Sequence, residues 1–230
     1  MKESLRLDDF LKERSTFVRK VLPANSKFIE VEGEIYFNRV KDGYPELSGN
    51  FEINIKIPRS YPYALPIVKE ISQKIPREER FHLNFITDPF TRVKIYHSCC
   101  LGSDLRIRAL IANDLSLENF VSKVVEPYLY SVCYKMRTGK DFPIGELAHY
   151  DEGLIKDYID LFGLQNSNQL KKTLFSLKEK KRVANKKPCP CDCGLRLGKC
   201  DFHLHLNTFR KLIPRSHYQR ISKDLFGENN

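Results

Sequence analysis

Cysteines are the residues of this sequence whose type and spacing point most directly to chemistry. The chain has seven cysteines among its 230 residues. Two are adjacent, one stands alone, and four fall within twelve residues: Cys99 and Cys100, then Cys133, then Cys189, Cys191, Cys193 and Cys200. A thiolate is both a nucleophile and a metal ligand. Grouped in this way in a reducing compartment, cysteines indicate catalysis or metal binding rather than disulfides.

The adjacent pair follows a series of short motifs. The segment Ser-Tyr-Pro-Tyr-Ala-Leu-Pro (60–66) ends an alternating strand, and His82-Leu83-Asn84 comes next. Cys100-Leu101 then precedes a long apolar helix. Over residues 5–164 this order resembles the ubiquitin-conjugating (UBC-like) family. In that family a Tyr-Pro turn, a His-Pro-Asn motif and a catalytic Cys-Leu follow one another before the C-terminal helices.

The resemblance implies a role for three residues. Cys100 is the cysteine that carries an acyl group as a thioester, because a thiolate is a good nucleophile and a good leaving group. His82 corresponds to the family's structural histidine. Asn84 corresponds to its asparagine, whose side-chain amide stabilises the developing oxyanion or holds the loop that does so. Cys99 remains the alternative nucleophile.

The sequence departs from the family pattern ahead of the cysteine. Leu83 replaces the family's proline, and Cys100 follows Asn84 by 16 residues, a longer gap than in eukaryotic members. The stretch from Thr87 to His97 is predicted to be an inserted flap or extended hairpin. Farther on, Gly145-Glu146-Leu147-Ala148-His149 is similar to a segment of bacterial members, so His149 is either an active-site residue or a structural one.

The late cysteine group resembles the small SEC-C zinc module, which begins with Pro-Cys-x-Cys and closes on a further cysteine after a loop that contains glycine and lysine. The resemblance implies a structural zinc held by Cys189, Cys191 and Cys200. Asp201 stands where the family has its fourth ligand. His203 is therefore expected as the fourth ligand, with Cys193 or His205 as the alternatives.

The elements that must position these residues follow from hydrophobic periodicity. A helix is predicted from Ser4 to Leu22, followed by antiparallel strands that alternate with period two. Irregular chain is expected over 73–114. Further helices are expected from Leu117 to Val132, over 153–164 and over 169–183. The fold class is therefore α+β, and the motif resemblance implies that the fold is UBC-like. Three segments are expected: a conjugating domain over 1–164, a basic helical linker over 165–187, and a zinc module with a C-terminal tail over 188–230.

Composition and charge limit the expected compartment and the expected class of partner. Hydrophobic residues make up 41% and charged residues 30%, and no apolar run approaches the roughly 18 residues of a membrane span. The charged N-terminus contains no signal-peptide core, so we expect a cytoplasmic protein. The formal net charge is +10, with a basic run at 171–187. Such a run can attract nucleic acid or an acidic protein. A solvated helix face is the simpler interpretation, so nucleic acid is not the expected partner.

The predicted function is that of a ubiquitin-conjugating-like acyltransferase that passes a carried protein C-terminus from Cys100 to an acceptor, as an amide or as a new thioester. By resemblance, bacterial proteins of this kind prime a cyclic-oligonucleotide synthase in antiviral (CBASS) defence. No phosphate-binding Gly-x-Gly-x-x-Gly is present, so a separate activating enzyme is expected. One alternative is a catalytically inactive scaffold of the same fold. A second is a basic zinc-containing nucleic-acid-binding protein.

Overall fold

The computed structural model describes residues 5–143 and 150–227, which belong to two compact units. The N-terminal unit comprises Met1–Gly102 and Leu110–Glu146, and the C-terminal unit comprises Ser103–Ala109 and Leu147–Asn230. The first contains an antiparallel sheet and helices, while the elements described in the second are helical. The predicted α+β class is therefore confirmed.

The first helix is shorter than predicted. It spans Leu7–Glu13 (α1) and buries Leu7 and Phe10. The chain then turns, so that Phe17 packs edge-on against Phe10 with ring centroids 5.0 Å apart. Val18–Arg19 forms a short strand, β1. The apolar residues after Glu13 therefore belong to a strand and its turn, which explains why Val21 is fully exposed.

A four-stranded antiparallel meander forms the main sheet, in the order β1-β2-β3-β4. Its other strands are β2 (Phe28–Arg39), β3 (Leu47–Pro58) and β4 (Ile67–Glu70). Alternating residues of β2 and β3 point inward and pair across the ladder, as Val31 does with Ile55. The period of two in the sequence thus places one face of the sheet in the core.

Ordered elements occupy about half of the segment predicted to be irregular. A 3₁₀ turn (Glu79–Phe81) leads into β5 (Leu83–Thr87), which pairs antiparallel with β6 (Lys94–Cys99). The hairpin predicted over 87–97 is confirmed, although its strands begin earlier and end later. A helix, α2 (Asp104–Leu110), follows and belongs to the C-terminal unit.

The long apolar helix packs against β2 and β3 and has three parts. These are α3 (Leu117–Phe120), a π-helical turn (Val121–Val125) and α4 (Glu126–Thr138). Ser116 caps its start by accepting a hydrogen bond from the amide of Asn119 at 3.2 Å. Pro127 has no amide hydrogen, so an α-helical bond to Lys123 cannot form, and the π turn lies directly before it.

The C-terminal unit is built on five further helices: α5 (Tyr150–Phe162), α6 (Ser167–Lys178), α7 (Lys181–Ala184), α8 (Phe202–Leu212) and α9 (Arg215–Phe226). Leu170, Leu174 and Leu177 of α6 are fully buried in its core. In place of the expected linker over 165–187, the structure therefore has a core helix. Leucines at spacings of four and three residues bury one side of α6 and leave its lysines outside.

None of the helices in the described residues is both long enough and apolar enough to span a membrane.

Candidate functional site

Cys100 lies directly after β6, where the chain leaves the hairpin. Its amide donates a hydrogen bond to the carbonyl oxygen of His82 at 2.7 Å, which extends the pairing of β5 and β6 by one residue. Gly102 then adopts φ 123°, a backbone conformation that favours glycine, and turns the chain toward α2. The motif Cys-Leu-Gly is thus a strand end followed by a turn.

The Cys100 thiol is half-buried. Burial raises its pKa above the usual value for a thiol, and a hydrogen bond from the Gly102 amide opposes this effect. At neutral pH the group is therefore mainly a protonated thiol. The residue as a whole is only partly removed from solvent.

Cys99, the alternative nucleophile, occupies a different environment. It is only 5% exposed. Burial raises its pKa to about 12, and hydrogen bonds with the Tyr128 hydroxyl and the Glu70 amide only partly oppose this effect. Since neighbours along a strand point to opposite faces, one member of the pair lies in the core while the other lies at the surface. Cys99 is a core residue, and of the two thiols Cys100 is the more accessible.

His82 contributes its backbone to this region. Its carbonyl accepts the Cys100 amide hydrogen, and the Tyr128 hydroxyl lies 3.4 Å from the same oxygen. Its φ of 51° is left-handed, an uncommon conformation for a residue with a side chain. The ring is buried, with its centroid 4.8 Å from that of Phe142. The backbone of His82 thus holds the strand end at Cys100, and the structural role expected for His82 stays a prediction.

Asn84 is exposed on β5, directly opposite Ser98. Its Nδ2 lies 3.2 Å from the carbonyl oxygen of Cys99, to which it donates a hydrogen bond. That oxygen belongs to the peptide that joins Cys99 to Cys100. Asn84 therefore holds the peptide immediately before the proposed nucleophile, and the expectation that it stabilises an oxyanion stays a prediction.

Ser98 is a site residue that the sequence analysis missed. Its hydroxyl accepts a second hydrogen bond from Asn84 Nδ2 at 3.1 Å and lies 3.0 Å from His97 Nδ1. A β-bulge between Asn84 and Phe85 leaves His97 outside the strand pairing. The position of Ser98 could have indicated this role. It directly precedes Cys99, on the strand that pairs with the strand of Asn84.

The late cysteines form a second candidate site. The Sγ atoms of Cys189, Cys191, Cys193 and Cys200 all lie within 4.8 Å of one another. We call this group the four-cysteine cluster. Cys191 Sγ is 3.1 Å from Cys189 Sγ and 3.7 Å from Cys200 Sγ. Four thiols at this spacing fit a tetrahedral metal ion, which supports the expected metal site without identifying the metal.

Backbone turns bring Cys193 into the cluster. The Cys189 amide donates to the carbonyl of Leu195 at 2.8 Å, so the chain reverses between them. Asp192 and Gly194 both adopt left-handed conformations, with φ 61° and 79°. This tight reversal returns the Cys193 side chain to the other thiols, although Cys193 itself is exposed.

The structure places His203, the expected fourth ligand, outside this group. Its Nδ1 lies 2.7 Å from the carbonyl oxygen of Cys200, in the first turn of α8. His205 is exposed, with its ring 5.0 Å from that of Phe209. Cys193 thus stands where the sequence analysis placed His203, because the turn at Gly194 brings it closer than the start of α8 can bring either histidine. His149 lies outside the described residues.

Comparisons of the chain with protein-family models, with curated proteins and with solved structures found no significant match.

Proposed function

We propose that the N-terminal unit is a ubiquitin-conjugating-like acyltransferase of UBC-like fold and that Cys100 carries the acyl group. One observation carries this proposal: Cys100 is a partly exposed residue whose amide and whose preceding peptide carbonyl are both hydrogen-bonded. The His82 carbonyl binds its amide, and Asn84 binds the carbonyl just before it. The backbone around Cys100 is thereby bonded to the other two residues that the family resemblance singles out, through the backbone carbonyl of His82 and the side-chain amide of Asn84.

The chemistry consists of two acyl transfers. The Cys100 thiol gives up its proton and attacks the carbonyl carbon of an activated donor, and the donor's leaving group departs as the new carbon–sulfur bond forms. An amine on the acceptor then attacks the thioester, loses a proton and expels the Cys100 thiolate. Nothing is oxidised or reduced in either step.

The raised pKa of Cys100 suits a carrier. A thiol with a high pKa is a poor leaving group, so its thioester resists attack by water and weak nucleophiles. Transfer then depends on an acceptor amine that is held in place, because positioning supplies much of the rate of an acyl transfer. The same property supports the inactive-scaffold alternative, since the thiolate is a minor species at neutral pH.

The donor and acceptor follow from the motif resemblance alone. We propose that the donor is a protein ending in glycine, activated by a separate enzyme, and that a cyclic-oligonucleotide synthase is the acceptor in bacterial antiviral defence. For the C-terminal unit we propose a structural zinc ion in the four-cysteine cluster. A closed set of four thiolates leaves no position for substrate, and zinc would supply folding energy there rather than catalysis.

A peptide that ends in Gly-Gly and carries a 2-mercaptoethanesulfonate thioester tests Cys100 without needing the activating enzyme. Intact-mass spectrometry should show one peptide added to the purified chain, and dithiothreitol should remove it. Addition of a lysine-containing peptide should then yield the amide. The Cys99→Ala variant should load normally, whereas Cys100→Ala should not load.

Cys100→Ser is the second variant, because an ester on serine withstands dithiothreitol. Loading that is equal in Cys100→Ala and in the unmodified chain would overturn the proposal. Loading on Cys100 no faster than on free cysteine, with no amide formed, would instead support a scaffold.

A further inference from the structure

The outer side of α6 and α7 carries most of the basic run. We define the basic surface as the eight cations on these helices and the segment that follows: Lys171, Lys172, Lys178, Lys180, Lys181, Arg182, Lys186 and Lys187. Most of them are exposed. Because the leucines of α6 point into the core, the lysines are displayed on one side of the unit.

Little of this charge is neutralised. Lys172 pairs with Asp192, and Lys187 pairs with Glu179, each at 2.6 Å. Within residues 5–143 and 150–227, the remaining exposed cations around α7 have no acidic partner: Lys180, Lys181, Arg182 and Lys186. Four unpaired cations within seven residues create a local positive potential that attracts anions.

An aromatic ring lies within this surface. Phe175 on α6 is 37% exposed, which is high for a residue of its kind on a helix whose neighbouring leucines are buried. The Nζ atoms of Lys178 and Lys187 each lie 4.4 Å from the centre of its ring. Both ammonium groups lie over the ring, so a base that stacks on Phe175 would displace a lysine, and that lysine would then be available to contact a phosphate.

The four-cysteine cluster is attached to the same surface. The Leu197 amide donates to the carbonyl of Lys187 at 2.9 Å, and the Gly198 amide donates to the carbonyl of Asn185 at 3.0 Å. The loop that holds the cysteines is therefore hydrogen-bonded to the basic segment, and its exposed Arg196 and Lys199 extend the surface. A metal in the cluster would fix the position of these cations.

We propose that the basic surface binds single-stranded nucleic acid, with Phe175 stacking on a base and the cations around α7 contacting phosphates. This activity is independent of the thiol chemistry at Cys100. Single strands are favoured over an acidic protein because an aromatic ring among the cations matches unstacked bases, whereas charge alone would serve a carboxylate-rich partner.

Fluorescence anisotropy with fluorescein-labelled U20 and dT20 tests this surface on the full zinc-loaded chain. We expect binding to at least one strand at 50 mM KCl, with affinity that falls steeply as salt rises. Replacing three cations together, as Lys180→Gln, Lys181→Gln and Arg182→Gln, should weaken binding at least tenfold. It should also reduce the slope of log affinity against log salt by about two, at roughly 0.7 per lost phosphate contact.

The matched control removes the same charge from the other helices of the unit, as Lys211→Gln, Arg215→Gln and Lys223→Gln. It should weaken binding less than threefold. Phe175→Leu should weaken binding about fivefold or more without changing the salt slope, because stacking contributes roughly 1–3 kcal/mol per base. Zinc content and melting temperature should be unchanged in all three variants.

Three results would overturn the proposal. The first is no binding of either strand at 50 mM KCl. The second is equal weakening by the two triple variants, which would mean that only net charge matters. The third is preferential binding of a 20-base-pair duplex or of polyglutamate, which would replace single strands by another class of partner.

Discussion

The two groups of cysteines in this chain place the same side chain in opposite surroundings. In the hairpin, strand alternation separates neighbours, so that Cys99 is buried while Cys100 is half-exposed. In the four-cysteine cluster, tight turns gather thiols that are separated by up to eleven positions into a group 4.8 Å across. The local backbone, rather than the residue type, therefore decides whether a thiol is isolated or shared.

The two groups also differ in what the spacing of their cysteines along the chain can indicate. Four cysteines in twelve residues suffice to indicate a metal site, because such a group has little other use in a reducing compartment. An adjacent pair carries no such information. Only the strand register shows which of its members reaches solvent.

Metal removal should have the largest effect, and it should act on the four-cysteine cluster but not on Cys99 and Cys100. The binding energy of a structural zinc is roughly 10–16 kcal/mol, comparable to the stability of a whole domain. We therefore expect chelation, or Cys191→Ser, to abolish the cooperative unfolding of the C-terminal unit. Calorimetry and hydrogen exchange measure this loss. Cys100→Ser is the control and should leave that unit intact; equal loss in both variants would refute the assignment.

Removal of the fourth metal ligand should have the next largest effect. Cys193→Ser should weaken metal binding by more than tenfold, whereas His203→Gln should change it less than threefold, because the four thiols already lie within 4.8 Å of one another and complete a tetrahedral set. Cobalt substitution provides the readout, since the intensity of thiolate-to-cobalt absorption counts the thiolates. An unchanged spectrum in Cys193→Ser together with a changed spectrum in His203→Gln would show that His203 is the fourth ligand instead.

Alkylation rates test the difference in exposure between Cys99 and Cys100. Iodoacetamide should modify Cys100 at least tenfold faster than Cys99 in the folded protein, because Cys99 is inaccessible. Burial raises the pKa of Cys100, so its thiolate fraction is low at neutral pH and grows as pH increases. The rate should therefore keep rising above the pH at which a free thiol levels off. Peptide mapping across pH 6–10 checks this, and a plateau near neutral pH would contradict it.

The smallest effect concerns Asn84. Asn84→Ala removes the hydrogen bond to the Cys99 carbonyl and should slow amide formation from the loaded protein about tenfold. Loading itself should be almost unchanged, since Cys100 is still present. Ser98→Ala is the control, because it leaves the Asn84 bond to that carbonyl in place. Equal rates for the two variants would show that Asn84 does not act on the peptide before Cys100.

Periodicity predicted most of the fold. The alternating strands, the apolar helix after Leu117 and the first helices beyond residue 150 were expected, whereas α8 and α9 were not. The first helix was predicted too long because Phe17 and Val18 match a helical spacing by chance while they serve a turn and a strand. The linker over 165–187 was expected because its charge is obvious, whereas the leucine spacing that buries α6 is equally present in the sequence.

The sequence alone was enough to predict the strand meander, the apolar helix after Leu117, the late cysteine cluster and the motif series that leads to Cys100. These depend on local spacing, which a helix or strand period converts directly into faces. The tertiary structure decided which thiol of the pair is buried, that Cys193 joins the cluster, and that Ser98 links Asn84 to His97. These depend on strand register and on turns with left-handed residues, which bring together atoms that spacing along the chain does not relate.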